Sequence, residues 1–410
     1  MISRRVFLKS GSMAMLSLGF APSFLARTVE AAGTGRRLLV AIFQRGAMDG
    51  LNMVVPYGEA EYYRLRPSIS IPRPGRADGA AVDLDGFFGL HPRMAALKPL
   101  WDNHSLAIVH ACGSPDATRS HFDAQDYMET ATPGRKATQD GWLNRYLQIA
   151  SQERNPLRGV AMTRQMPRAL QGPAPSLAMG GVGEFQVRAD MDTRTSLETA
   201  YSQAADRVLN GSGSEAFDAM RTLNRAVSRT YQPASGAMYP RSPFGQALQE
   251  IARLAKADVG LEIAFAESTN WDHHVNEGGV TGQVAMRLED LSQGLAALAA
   301  DLGERMSETV IITMSEFGRA VAENGNRGTD HGHGNAMMVL GGPVKGGHVY
   351  GKWPGLASDQ RYEGRDLAVT TDFRDVFGEL VVGHLGVEPD AVARVFPGYT
   401  RAGTVGVIKA

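Results

Sequence analysis

Five short apolar runs constrain the fold of this chain more than any other feature. They are Arg36–Phe43, Leu106–Ala111, Gly260–Ala266, Val310–Met314 and Ala336–Leu340. Runs of this length, rich in β-branched residues, read as strands covered on both faces, because a half-exposed strand would alternate polar and apolar positions. Segments with helical periodicity lie between and beyond them: Met94–Trp101, His121–Glu129, Gly141–Ser151, residues 243–257, Thr281–Leu302 and Phe373–Leu385. Two-sided strands alternating with one-sided helices bury their apolar surface by placing helices on both faces of one sheet. The expectation is therefore an α/β three-layer sandwich with a largely parallel central sheet. Residues 66–89 are rich in Pro, Gly and Asp and read as loop. Residues 155–190 are irregular, and residues 193–232 read as amphipathic helix. Together with 243–257 they suggest a helical insertion around 190–258 in one domain spanning 33–410.

The first thirty residues read as an address. Ser3-Arg4-Arg5-Val6-Phe7-Leu8-Lys9 sets two adjacent arginines before a short apolar stretch, Gly11–Ala26, as twin-arginine export signals do. Small residues at Ala31 and Ala32 suit a signal peptidase. The expected location is periplasmic or secreted, with residues 1–32 removed. Export in the folded state is useful to a protein that acquires a metal before it leaves the cytoplasm. Removing Arg4, Arg5, Lys9, Arg27 and Glu30 changes the net charge from −1 to −4.

Neither charge suits a nucleic-acid binder that works through a basic surface. No stretch approaches the roughly 20 apolar residues of a membrane span. The single cysteine, Cys112, excludes an internal disulfide and any multi-cysteine metal site. It reads as a core residue at the end of a strand. A metal site in this chain must therefore use histidine and carboxylate.

In an open α/β sheet, ligands bind beyond the carboxyl ends of the strands, and the unusual polar residues fall there. Thr329-Asp330-His331-Gly332-His333-Gly334-Asn335 places a carboxylate and two imidazoles within four residues. Neutral imidazole and carboxylate suit zinc and similar ions. Trp271-Asp272-His273-His274 is a second group, in which Asp272 and His274 share a face if the backbone is extended; His273 and His274 are alternatives. Asp49 follows the first run. Ser120 precedes a helix, where it can be an N-cap or a nucleophile, with Ser114 and Thr118 as alternatives. Glu316 can be a ligand or pair with Arg319, three residues on. His91 and His110 read as structural, and His348 as a possible late ligand.

Four stretches then carry a resemblance. They are Phe43-Gln44-Arg45-Gly46-Ala47-Met48-Asp49-Gly50-Leu51-Asn52, Ser120-His121-Phe122-Asp123-Ala124-Gln125-Asp126, Ser315-Glu316-Phe317-Gly318-Arg319 and Gly328-Thr329-Asp330-His331-Gly332-His333-Gly334. With the twin-arginine signal they resemble the bacterial family called domain of unknown function 1501, within the alkaline phosphatase and sulfatase superfamily. The resemblance covers nearly the whole mature chain. It implies an alkaline phosphatase-like fold and a metal-dependent hydrolase of phosphate or sulfate esters. It assigns Asp49, Asp272, His274, Asp330, His331 and His333 to a divalent metal, zinc first, with magnesium, manganese or calcium as alternatives. Ser120 would be the nucleophile, with His121 beside it as a catalytic group. The implied partner is a small-molecule or polymer ester. The spacing of Asp272 and His274 is shorter than the superfamily's, and a late histidine before Thr370-Thr371-Asp372 is absent. Those departures keep a second reading open: a cell-envelope binding or assembly protein that retains the fold without turnover.

Overall fold

A computed structural model describes residues 37–151, 155–182, 222–223, 231–401 and 403–409. The expected export signal at 1–32 and most of the expected helical insertion around 190–258 lie outside the described residues. Among the described residues, a nine-stranded sheet forms the centre. Its strands are β1 (Leu38–Gln44), β2 (Leu106–Gly113), β3 (Gly159–Ala161), β4 (Leu177–Ala178), β5 (Ile263–Ser268), β6 (Thr309–Met314), β7 (Asn335–Gly341), β8 (Val349–Tyr350) and β9 (Thr371–Asp372). The spatial order is β8-β2-β7-β6-β1-β5-β3-β4, with β9 also paired to β2. All these strands run the same way except β7, which is antiparallel to both β2 and β6.

Alternation along β1 makes the three layers visible. Leu38, Val40 and Ile42 join one core, and Leu39, Ala41 and Phe43 join another on the opposite face. The first core is closed by α3 (Pro243–Lys256) and α4 (Gln283–Leu302). Along α4, Val284, Leu288, Leu291, Leu295, Leu298 and Leu302 are buried at steps of four and three, one stripe of a helix. Fully burying each such side chain stabilises the fold by about 1.5–3 kcal/mol. The second core is closed by α2 (Trp142–Ala150) and α5 (Phe373–Glu379), with Trp142 stacked on Phe377 at 4.5 Å between ring centres. Ser242 starts α3: its hydroxyl accepts from the Gly245 amide at 3.0 Å, and Pro243 stands in the first turn, where its missing N–H costs nothing. Cys112 is buried in the second core, as expected.

Three boundaries differ from the sequence expectation. The fifth strand begins at Ile263 rather than Gly260, because Gly260 takes a φ of +86° that breaks the extended run. The expected helix Phe373–Leu385 is α-helical to Glu379 and then widens into a π-turn over Leu380–His384. Within the expected loop 66–89, Val82–Asp83 and Gly89–Leu90 pair as strands with each other, and the latter with Val54–Val55. Two-residue strands are too short to show a period in sequence.

The register positions the site. Phe43 of β1 lies level with Glu267 of β5 and with Met314 of β6. The loops that follow these three strands therefore leave one edge of the sheet together. Because β7 runs the other way, its first residue, Asn335, lies at that same edge, opposite Cys112 near the end of β2. The reversed strand thus delivers the 329–334 loop, and β2 delivers α1 (His121–Thr130), to the carboxyl edge of their neighbours.

Candidate metal centre

Four loops converge there. Gly46, after β1, has a φ of +114°, and a Cβ on it would stand 2.8 Å from the Asp272 amide nitrogen. Only glycine lets the first loop pass this close to the second. Gly332 plays a similar part: a Cβ there would meet the Arg319 carbonyl carbon at 2.3 Å. Arg319 and His331 pair through a single antiparallel bridge, so the glycine fixes how the His331 loop lies on the β6 loop.

At this junction the side chains of His121, Asp272 and His331 come together, with His274 beside them. The His331 Nε2 lies 3.0 Å from the His121 Nε2 and 2.9 Å from the His274 Nε2. An Asp272 oxygen lies 3.0 Å from the His274 Nε2 and 3.4 Å from the His331 Nε2, and the other lies 3.6 Å from the His121 Nε2. The cluster opens to solvent, since the Asp272 and His274 side chains keep 45% and 40% of their exposure.

Each imidazole is held from behind. The His121 Nδ1 faces a Glu316 carboxylate oxygen at 2.8 Å, and the His331 Nδ1 faces the Arg119 carbonyl at 2.9 Å. The His274 Nδ1 lies 3.6 Å from Asp330. A carbonyl can only accept, so the His331 Nδ1 carries the hydrogen and its Nε2 presents a lone pair. The same assignment follows for His121 if Glu316 is ionised. Burial raises the Glu316 carboxyl, but hydrogen bonds from His121, Gln125 and the Gly46 amide outweigh it and hold the carboxyl below its ordinary value. The bond to Glu316 raises the His121 imidazole, whereas burial and then the neighbouring His121 and Arg319 charges lower His331. Burial also raises the Asp272 carboxyl, and the Arg319 hydrogen bond and charge reverse that shift. Arg319 itself is buried, donating to Asp272 at 2.7 Å and to the carbonyls of Gly46, Ala47, Trp271 and Thr329.

Of the residues named from sequence, Asp272, His274 and His331 are brought together, and His121 joins their donor atoms. Asp330 is not at the junction: its side chain is exposed, bonds Asn324 at 3.1 Å and stands behind His274. His333 turns away and stacks on Tyr362 at 4.4 Å. Asp49 is buried against Arg66, with Oδ2 2.5 Å from the guanidinium. Ser120 caps α1 without a side-chain cap bond and is exposed, and the Thr118 hydroxyl accepts from the Ser120 amide. His348 lies near His104 and Tyr350, away from these loops. Glu316 does not pair with Arg319, because Arg319 is bound to Asp272 and Glu316 to His121.

Sequence reasoning did not find the supporting roles of Gln125 and Glu129. With His121 they occupy positions i, i+4 and i+8 of α1, one helical face. Gln125 donates to Glu316 at 2.8 Å and accepts from Arg45 at 3.0 Å, and Arg45 pairs with Glu129 and with Glu267.

The chain is thus an α/β protein whose sheet edge carries a histidine–carboxylate cluster with the donor chemistry of a metal centre. It belongs to the family described as protein of unknown function, DUF1501, whose model matches residues 101–374. Two solved structures are similar to it at 12% identity. One is the PsFucS1 sulfatase from Pseudoalteromonas sp., with a TM-score of 0.37 over 94% of this chain and 75% of that one. The other is the phosphonate monoester hydrolase of Agrobacterium radiobacter, with a TM-score of 0.33 over 89% and 78%. No curated protein matches the chain.

Proposed function

We propose that this protein is an exported, metal-dependent hydrolase of phosphate or sulfate esters, built around one ion held by Asp272, His274, His331 and His121. One observation carries the reading: imidazole Nε2 atoms turned toward one another at 2.9–3.0 Å with an Asp272 oxygen beside them. Two such nitrogens either share a proton or turn their lone pairs to one cation, and three imidazoles with a carboxylate around one point have the donor set of the second arrangement. Metal–nitrogen bonds of about 2.0–2.1 Å in a tetrahedron place donors roughly 3.3 Å apart, which the observed spacings approach. Outer carboxylate or carbonyl partners on the imidazoles are the pattern that fixes metal-binding tautomers. Zinc suits this donor set best, and magnesium, manganese or calcium are the alternatives.

A bound ion would polarise the ester and stabilise the charge that develops on it. The chain supplies the rest. Glu316 and the Arg119 carbonyl hold His121 and His331 in place, and Arg319 fixes Asp272. Ser120, at the start of a ten-residue helix, carries a hydroxyl that makes no capping bond, at a helix end that favours anions. In this mechanism the Ser120 oxygen bonds to phosphorus or sulfur as the bond to the ester oxygen breaks, and the Ser120 proton passes to that leaving oxygen. Water then cleaves the seryl ester and returns the proton to Ser120. Thr118 is the less favoured nucleophile, since its hydroxyl already accepts from the Ser120 amide. The Arg4-Arg5 motif supports twin-arginine export and a periplasmic or secreted location.

The buried Asp49–Arg66 pair favours a second reading. It occupies the carboxylate that a two-ion site would use, so a non-catalytic envelope binding or assembly protein with one structural ion also fits. Metal analysis by mass spectrometry on protein exported from its native host, with a panel of phosphate, sulfate and phosphonate esters, separates these readings. The hydrolase reading expects one ion per chain and turnover that Ser120→Ala removes without loss of metal. Metal-free, inactive protein overturns both readings of the ion. Metal-bound protein inactive on every ester selects the second.

A further inference from the structure

We infer that the substrate carries a second anionic group, read by Arg164 and Arg287 in a cavity beside the candidate metal centre. The inference rests on the ester-hydrolase reading and names the substrate class of the same site. Two adjoining cavities, of about 550 and 460 Å³, share Thr163, Arg164 and Glu267 as walls. The larger is within the range of small-ligand sites. Asn270 also lines it and stands two residues before Asp272, so their Cα atoms are at most about 7 Å apart. The smaller is lined by Arg45, whose neighbour Gly46 packs against the Asp272 amide.

The charges in this space are unevenly matched. Arg45 is paired with Glu129 and Glu267, and Arg168 with Asp126. Arg164 is exposed and Arg287 partly exposed, and among the described residues neither has an ion pair. Asp290, one turn beyond Arg287 on α4, is the opposing acid of the larger cavity besides Glu267, which is paired with Arg45. Two unpaired guanidinium groups across one cavity offer bidentate donors to a phosphate or sulfate. Ser242, Thr269 and Asn270 offer hydroxyl and amide partners, and Phe244 an apolar face, as a sugar ring carrying two acidic groups would require.

The test is isothermal titration of the intact chain with glucose 1,6-bisphosphate against glucose 1-phosphate, and with a disulfated hexoside against its monosulfated form. The two arms separate phosphate from sulfate as the anion. We expect at least a tenfold preference for one bis-anion. Arg164→Ala and Arg287→Ala should each reduce it to threefold or less, with metal content unchanged, and Asp290→Asn should increase it. Equal affinity for mono- and bis-anions in both arms, or a preference that survives in both arginine variants, overturns the inference. Metal-free protein that keeps an arginine-dependent preference retires the ester-hydrolase reading and leaves the anion subsite standing.

Discussion

The Nε2 atoms of His121 and His331 lie 3.0 Å apart, each on a ring whose other nitrogen is already engaged, by Glu316 and by the Arg119 carbonyl. The rings are thus fixed from outside and their Nε2 atoms meet inside. Glu316 is the partner whose removal tests this most directly. In Glu316→Gln the shape and an acceptor oxygen remain but the charge is lost. Metal affinity should fall about 10–100-fold, as for other partners behind metal-binding histidines. Chelator competition measures this, with circular dichroism to confirm the fold. Affinity within twofold of the parent would remove Glu316 from the arrangement.

Asp49 and Arg66 are both nearly solvent-free, and Arg66 also binds Asn52 and the carbonyls of Ala320 and Val321. Asp49→Asn would leave a buried guanidinium without its counter-charge, which typically costs about 3–5 kcal/mol. Denaturant unfolding should show that loss while the ion content stays constant. The opposite pattern, metal lost with stability intact, would return Asp49 to the ion.

The sheet was legible in sequence because its strands are covered on both faces, so Leu38–Phe43 is a continuous apolar run and Val310–Met314 is broken only by Thr313. The clustering of Asp272, His274 and His331 was legible because those residues follow strand ends or precede β7. The direction of β7 was not legible, since a buried strand reads the same either way. Nor was the exclusion of Asp49 and His333. Their fates depend on Arg66, which is 17 residues from Asp49, and on Tyr362, which is 29 residues from His333. No local pattern reports contacts of that kind. Gln125 and Glu129 were readable in principle as a polar stripe with His121, but a polar stripe usually marks a solvent face.

Gly332 makes a sharper test of geometry than of chemistry. A methyl group there would stand 2.3–2.4 Å from the carbonyl of Arg319, and backbone cannot rotate away as a side chain does. The His331 loop must shift, and with it one donor of the cluster. Gly332→Ala should weaken metal binding by on the order of tenfold or more. Gly325→Ala is the control, because nothing lies within 4 Å of a Cβ there and its φ is not positive. Equal affinities in the two variants would mean that this close approach does not position His331.

Acid should destabilise the fold through histidines remote from the cluster. His91, His110 and His384 each place Nε2 near 3.0 Å from a carbonyl, those of Gly279, Val54 and Leu38. Burial lowers all three imidazoles to about 4, and the carbonyl bonds only partly oppose it. Unfolded, each would take its proton near 6.5. Between pH 6.5 and 4 the unfolded chain therefore binds protons that the folded chain refuses. The stability from these neutral histidines is complete above pH 6.5 and is lost as pH falls toward 4. Each histidine contributes a slope of up to about 1.4 kcal/mol per pH unit in that window. Urea unfolding of the chain across pH 4.5–7 should show this slope, and His384→Gln should reduce it by as much as one proton's worth. A slope unchanged in that variant would mean that His384 is not held neutral by the fold.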